Sequence, residues 1–341
     1  MTTELQQLSR TMLTAVEDEM RAVLQRQDAS PDLFYGMMHY HMGWVDANLQ
    51  PVQLNSGKRI RPLLCLLVCQ AAGGDWRQAV PAAAAIEILH NFSLIHDDIE
   101  DASPTRRGRD TIWKLWGVEQ AINSGDAMFA IAHLALTRLL DRGVDAAVIV
   151  EALRRFDETC VRLTQGQHAD MDFEKREGVS VADYIEMITG KTAVLLSYAA
   201  AVGALVAGRD PQTIHHYTQY GLNLGLAFQV IDDILGIWGD ESRTGKSAAT
   251  DIITRKKTLP VLDGLSKSET LQQLYHNTTS SDTFVTEVIT LLDEVGSYKL
   301  AAGKAAVYSA SALQHLQAAQ PAGAAAAALH QLTTMLLQRD F

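Results

Sequence analysis

The chain has 341 residues, 47% of them hydrophobic, only 8 prolines and a formal net charge of −11. Such a length and apolar content can bury a large core. The acidic balance excludes a general nucleic-acid binder, which needs a basic stripe over the phosphates, so a polyanionic partner has to be met locally.

Ala, Leu and Gln recur throughout and alternating β-branched runs are few, which predicts one all-helical domain. Periodicity begins near Leu5 and runs to about Gln25, where "DASPDLF" interrupts it. A second helix is predicted over 32–49, followed by a turn punctuated by Pro51, Gly57 and Pro62. Further helices are predicted at 62–72, 80–100, 118–140, 145–170, 181–207, 211–238, 258–275, 282–296 and 298–318. A last one runs through the alanine-rich "AAQPAGAAAAALH" into "LTTMLLQRDF". The N-terminal "MTTELQQLSR" carries an acid and no apolar core, unlike a secretion signal. "TAVLLSYAAAVGALVA" falls short of the roughly 20 residues that cross a bilayer and reads as a buried helix of a soluble, cytoplasmic protein with no transmembrane segment. Cys65, Cys69 and Cys160, an odd number, suit free thiols in a reducing compartment.

The chemistry concentrates at the end of the helix predicted over 80–100. In "LIHDDIEDASPTRRG", Asp97, Asp98, Glu100 and Asp101 close an apolar run, and Arg106 and Arg107 follow one loop later. On a helical wheel Asp101 stands one turn above Asp97, with Ser93, His90 and Ile86 continuing the column downward. Two carboxylates on adjacent turns repel unless a cation lies between them, and Mg²⁺ favours one or two carboxylates combined with phosphate oxygens. Taken alone, the cluster reads first as the solvated acidic end of a helix and only second as a metal site. A second acidic pair, Asp232 and Asp233 in "FQVIDDILGIWGD", closes another apolar helix. Basic groups beside glycine recur in "GKRIRP", "RRG", "GKT", "TGK" and "RKKT", a pattern suited to diphosphate, because glycine lets the backbone approach while arginine forks neutralise charge.

In order and spacing, "GKRIRP", "HNFSLIHDDIEDASPTRRG", "GQHADM", "TGKTAVL", "FQVIDDILG" and "TGKSAATDIITRKKTLP" resemble the trans-isoprenyl diphosphate synthases, or polyprenyl synthases, from about Gly57 to Pro260. The resemblance implies an antiparallel helical bundle around a deep central cavity, a single domain over 1–341 and a homodimer. It implies Mg²⁺ held by Asp97, Asp98, Asp101, Asp232 and Asp233. Lys58, Arg61, His90 and Arg107 match positions that hold isopentenyl diphosphate. Arg106, Lys191, Thr192, Gln229, Lys246 and Lys256 match those that hold the allylic diphosphate, with Gln167 and Asp170 a further pair. Asp97, Asp98, Asp101, Arg106, Lys191, Asp232 and Lys246 are the catalytic set it implies, with no side-chain nucleophile.

One position departs from the family pattern. The fifth residue of the second acidic motif is Gly236 rather than aspartate, which leaves a catalytically reduced partner subunit open and makes Asp240 the nearest substitute in sequence. Phe92 and Ser93 match positions that set the cavity floor, and with no insertion in "DDIED" they look like those of short-chain synthases. Twenty-carbon geranylgeranyl diphosphate is the implied product and fifteen-carbon farnesyl diphosphate its competitor. A class I terpene cyclase shares the acidic helix but has no need of "GKRIRP" with "RRG". For Trp113 and Trp116 the expected role is packing.

Overall fold

The computed structural model describes residues 4–25, 32–54, 57–239, 249–276 and 283–338. Their helices are α1 Glu4–Val23, α2 Leu33–His41, α3 Ile60–Ala71, α4 Val80–Glu100, α5 Ile112–Trp116, α6 Val118–Thr137, α7 Ala146–Lys175, α8 Val181–Ile188, α9 Val194–Val206, α10 Pro211–Trp238, α11 Thr250–Ile253, α12 Leu259–Lys267, α13 Glu269–His276, α14 Phe284–Glu294, α15 Ser297–Ala318 and α16 Gly323–Leu337. Among the described residues the only strands form a small antiparallel hairpin, Thr105–Arg106 with Arg109–Asp110.

Most predicted helices are present, and the differences have local causes. The helix predicted over 32–49 stops at His41 because Gly43 turns left-handed at φ 79° and the Asp46 carboxylate accepts from the backbone N–H of Asn48 and Gln50, at 2.9 and 2.8 Å. The run predicted over 258–275 is two helices, parted at Ser268 by extended backbone. The run predicted over 181–207 contains a π turn, Thr189–Ala193, between α8 and α9. Such turns insert one extra residue and re-aim the side chains they carry, here Lys191 and Thr192. Over Val181–Val206 the chain is long and apolar enough to cross a membrane by length and composition, and 72% of its most apolar stretch is buried inside the protein.

The chain divides into two compact units. The first comprises Met1–Arg155, Ala199–Asp210 and Pro321–Leu329; the second comprises Phe156–Tyr198, Pro211–Gln320 and His330–Phe341. In the first, α4 packs along α6 and α3. Ala82, Ala83, Ala84 and Ala85 are fully buried, so helices approach closely around Ile86, Ile88 and Leu89, each contributing about 1.5–3 kcal/mol by burial. Cys65 and Cys69 lie buried on α3 as free thiols, as Cys160 does on α7. In the second unit, α10 packs along α15, and Val230, Ile231 and Ile234 join Tyr184, Met187, Leu259 and Ala301 in one core.

Candidate active site

In the first unit, α4 carries the acidic cluster to its C-terminal end. Asp101 caps the helix, its N–H donating to the Asp97 carbonyl at 2.9 Å. The chain then turns into the hairpin, whose two central residues, Arg107 and Gly108, are both left-handed at φ 53° and 74°. A two-residue hairpin loop demands that conformation; glycine accepts it freely, whereas arginine bears a cost on the order of 1–2 kcal/mol. The hairpin returns Arg106 to the end of α4. Its Nε donates to Asp98 Oδ1 at 2.7 Å and its Nη2 to Asp97 Oδ2 at 3.2 Å. The Asp97 side chain retains 19% exposure and that of Asp98 only 3%. Burial pushes the Asp98 carboxyl above its ordinary range while Arg106 pulls it back. Trp113 Nε1 donates to the Ser103 carbonyl at 2.8 Å, and the Trp116 ring meets the Tyr40 ring edge-on, so both tryptophans are packing anchors.

Below this, Arg61 Nη1 lies 3.4 Å from His90 Nε2. Burial, with Arg61 and Arg107 nearby, holds His90 well below the ordinary imidazole range, so it is neutral. Arg107 reaches over Gly57, where a β-carbon would come 3.4 Å from its Nη2. Lys58 is exposed, and the neighbouring Arg59, left-handed at φ 46°, pairs with Glu17. Phe92 packs against Phe129 of α6 at a tilt and against His96 edge-on, with ring centroids 5.1 and 4.8 Å away, while the Ser93 hydroxyl donates to the His90 carbonyl at 2.8 Å.

In the second unit, α7, the π turn and α10 supply the polar groups. Gly166 and Gly190 touch backbone to backbone, which seats Lys191 beside α7. Lys191 Nζ donates to Asp170 Oδ2 at 2.5 Å, and half-buried Gln167 lies one turn before Asp170. The Thr192 hydroxyl donates to Gln229 Oε1 at 3.0 Å, Gln229 Nε2 to Asp233 Oδ1 at 3.0 Å, and the Tyr184 hydroxyl to Asp233 Oδ2 at 2.6 Å. The Leu259 N–H also points at Asp233 Oδ2, 3.4 Å away. Burial raises the Asp233 carboxyl to about 7 against the opposing bonds from Tyr184 and Gln229. Asp232, its neighbour, is half-buried. Within "RKKT", Arg255 donates to the Leu274 and Tyr275 carbonyls and Lys257 to those of Phe173 and Arg176, leaving Lys256 exposed.

A model of the family described as polyprenyl synthetase matches residues 43–292. The chain belongs to the polyprenyl synthetase family. It is 45% identical over 239 residues to a geranylgeranyl diphosphate synthase of Mycobacterium tuberculosis, a match covering 70% of this chain and 67% of that protein. It is also 45% identical over 225 residues to a (2E,6E)-farnesyl diphosphate synthase of Mycobacterium bovis, covering 66% of this chain and 61% of that one. The crystal structure of a polyprenyl synthetase from Streptomyces coelicolor A3(2) superposes with a TM-score of 0.87 at 34% identity, covering 97% of this chain and 98% of the other. The fold is thus the all-α isoprenoid synthase type, and the chain is an enzyme of the prenyltransferase class.

Polyprenyl synthetases are generally metal-dependent. Among the described residues no three histidine, cysteine, aspartate or glutamate side chains converge as a ready-made metal cage. The donors at the helix ends are carboxylates, whose hard oxygens suit a cation that takes one or two of them and completes its shell with diphosphate and water. Asp97, Asp101 and Asp232 retain exposure and fit such a role. Asp233, also expected as a ligand, is 2% exposed and both its oxygens accept hydrogen bonds from the protein. Asp98 is likewise buried, and its carboxylate accepts from Arg106. Lys246 and Asp240 lie outside the described residues.

Other contributors escaped the sequence reading. Glu87, 3% exposed, accepts from Asn91 Nδ2 at 3.3 Å and shares its surroundings with Arg59, Arg61 and Arg107. Its signal was a lone acid in the apolar run "AAAAIEIL". His41 lines a cavity of about 290 Å³ with Arg106, Arg107 and Arg109, and nothing local in "YHMGW" announces it. Tyr184 belongs to none of the motifs, and only the structure brings its hydroxyl onto Asp233.

Proposed function

We propose that this polyprenyl synthetase condenses isopentenyl diphosphate with an allylic prenyl diphosphate, in a Mg²⁺-dependent reaction, to give geranylgeranyl diphosphate and inorganic diphosphate. Lys58, Arg61, His90 and Arg107 hold isopentenyl diphosphate; Arg106, Lys191, Thr192, Gln229, Lys246 and Lys256 hold the allylic diphosphate. Asp97, Asp101 and Asp232 would hold Mg²⁺, which when bound draws charge onto the departing diphosphate. The allylic carbon–oxygen bond breaks with its electron pair leaving on diphosphate oxygen, where the cationic side chains stabilise the developing charge. The isopentenyl double bond attacks the allylic carbon, and the proton lost in forming the new double bond passes to diphosphate. The apolar walls serve to keep water from the cation.

The observation that carries this reading is the Thr192–Gln229–Asp233–Tyr184 chain, in which groups from separate motifs fix one another's orientation. The cytoplasm is the proposed location, supported by three free buried thiols. A homodimer is also proposed, supported by exposed Val118, Ile122 and Leu134 on α6. The relative named for farnesyl diphosphate is as similar as the one named for geranylgeranyl diphosphate, so product length is the point to test. Purified protein with Mg²⁺, isopentenyl diphosphate and each allylic primer in turn should yield a dominant twenty-carbon diphosphate by mass spectrometry. A product stopping at fifteen carbons would correct the length, and no elongation with any primer would overturn the synthase reading.

A further inference from the structure

Asp232 and Gly236 stand one turn apart on the same face of α10. A β-carbon built on Gly236 would come within 2.8 Å of the Asp251 carboxyl carbon, so the Asp251 carboxylate rests directly on the Gly236 backbone. The seat is defined by α11: Ala249, left-handed at φ 55°, accepts from Ile252 and Ile253, and the Lys256 N–H donates to the Asp251 carbonyl at 2.8 Å. Position 236 is where a side chain would neighbour Asp232 along the helix, and the carboxylate found there comes from position 251.

We infer that Asp251 supplies, through space, the carboxylate that Gly236 does not, so that the second divalent-cation site of this chain is built from Asp232 with Asp251. The inference rests on the proposed role of Asp232. It assigns Gly236 a purpose: its missing side chain is the room in which Asp251 lies, and the two positions act as one. Asp240, the nearest candidate by sequence, is not needed for the pair.

The test is a double-mutant cycle read by metal binding rather than turnover. Mn²⁺ serves as the paramagnetic probe, with inorganic diphosphate present, and free Mn²⁺ is counted by electron paramagnetic resonance on the full chain. Asp251→Asn should weaken Mn²⁺ binding by about tenfold or more in the Gly236 background. In the Gly236→Asp background, where the helix supplies its own carboxylate, Asp251→Asn should change binding by less than about twofold. An effect of equal size in both backgrounds, or wild-type affinity in Asp251→Asn, overturns the inference. Should Asp251→Asn fail to melt cooperatively, Gly236→Ala displaces the carboxylate while keeping its charge; lowered affinity then supports the pairing, and unchanged affinity overturns it. Asp232→Ala separates the two levels. If it lowers affinity while Asp251→Asn does not, only the pairing fails; if it leaves affinity unchanged, the assignment of Asp232 fails with it.

Discussion

A single methyl group at Gly166 should disturb both stability and turnover, and the geometry sets the scale. A β-carbon there would lie 2.6 Å from the Gly190 carbonyl carbon and 2.9 Å from its Cα, whereas carbon atoms settle at about 3.5–4.0 Å. The atoms in the way are backbone, so no rotamer relieves them, and α7 must move from the π turn by about 1 Å. Overpacking of this kind costs about 1–3 kcal/mol, and the rigid backbone contact puts Gly166→Ala at the upper end. Replacing a helical glycine by alanine returns about 0.5–1 kcal/mol, leaving about 2 kcal/mol of net destabilisation. Gly303 on α15 has nothing within 4 Å of its would-be β-carbon, so Gly303→Ala carries only the favourable part and should stabilise by about 0.5–1 kcal/mol. Urea unfolding of both variants checks the opposite signs. Because Lys191 rides on the displaced turn, condensation by Gly166→Ala should fall by up to about 100-fold. If Gly166→Ala were stabilised like Gly303→Ala and kept full turnover, the close crossing would not be what positions Lys191.

Asp97→Ala and Asp232→Ala should each abolish condensation while leaving the circular dichroism and melting of the protein near wild type; near-normal turnover in either at limiting Mg²⁺ would refute the metal assignment. Phe92→Ala should lengthen the product seen by mass spectrometry, and an unchanged distribution would leave Phe92 a packing partner of Phe129 and His96 alone. Burial, with Arg107, Arg106 and Arg109 nearby, lowers the pKa of His41 from 6.5 to about 3, so the unfolded chain takes up a proton there before the folded one does. Stability should therefore fall as pH drops from about 6.5 towards 3, and His41→Gln should flatten that part of a melting-temperature profile; an unchanged slope would remove His41 as its source.

What the sequence made legible was periodic or contiguous. The helix Val80–Glu100 and the helix Pro211–Trp238 were readable to the residue because long apolar faces and terminal prolines or acids mark them. The motif cations were readable as a set and the resemblance singled out Lys256, but that Arg255 and Lys257 are bound to carbonyl groups beside it was not. What stayed hidden was set by contacts distant in sequence. Arg61 meets His90 across 29 positions, His216 meets His315 across 99, and Asp251 rests on Gly236 from another helix. The π turn was invisible because the backbone it packs against, at Gly166, lies on a different helix.

The two acidic pairs share one logic that neither motif discloses by itself. Adjacent residues on a helix point about 100° apart, so when the first aspartate keeps solvent exposure the second turns into the packing. Asp97 keeps 19% of its side chain exposed while Asp98, at 3%, is gripped by Arg106. Asp232 is half-buried while Asp233 is enclosed by Tyr184, Gln229 and the Leu259 N–H. On the proposed function each pair divides into one ligand and one positioning residue, the latter holding a partner side chain: Arg106 in one case, Gln229 in the other. Substitution by asparagine separates the roles, because it keeps shape and removes charge. Asp97→Asn should lower Mn²⁺ affinity in the presence of diphosphate, whereas Asp98→Asn and Asp233→Asn should leave it near wild type and raise KM for the allylic substrate. Equal loss of Mn²⁺ affinity at Asp97 and Asp98 would mean that both carboxylates reach the ion and that Arg106 yields its hold when the ion binds.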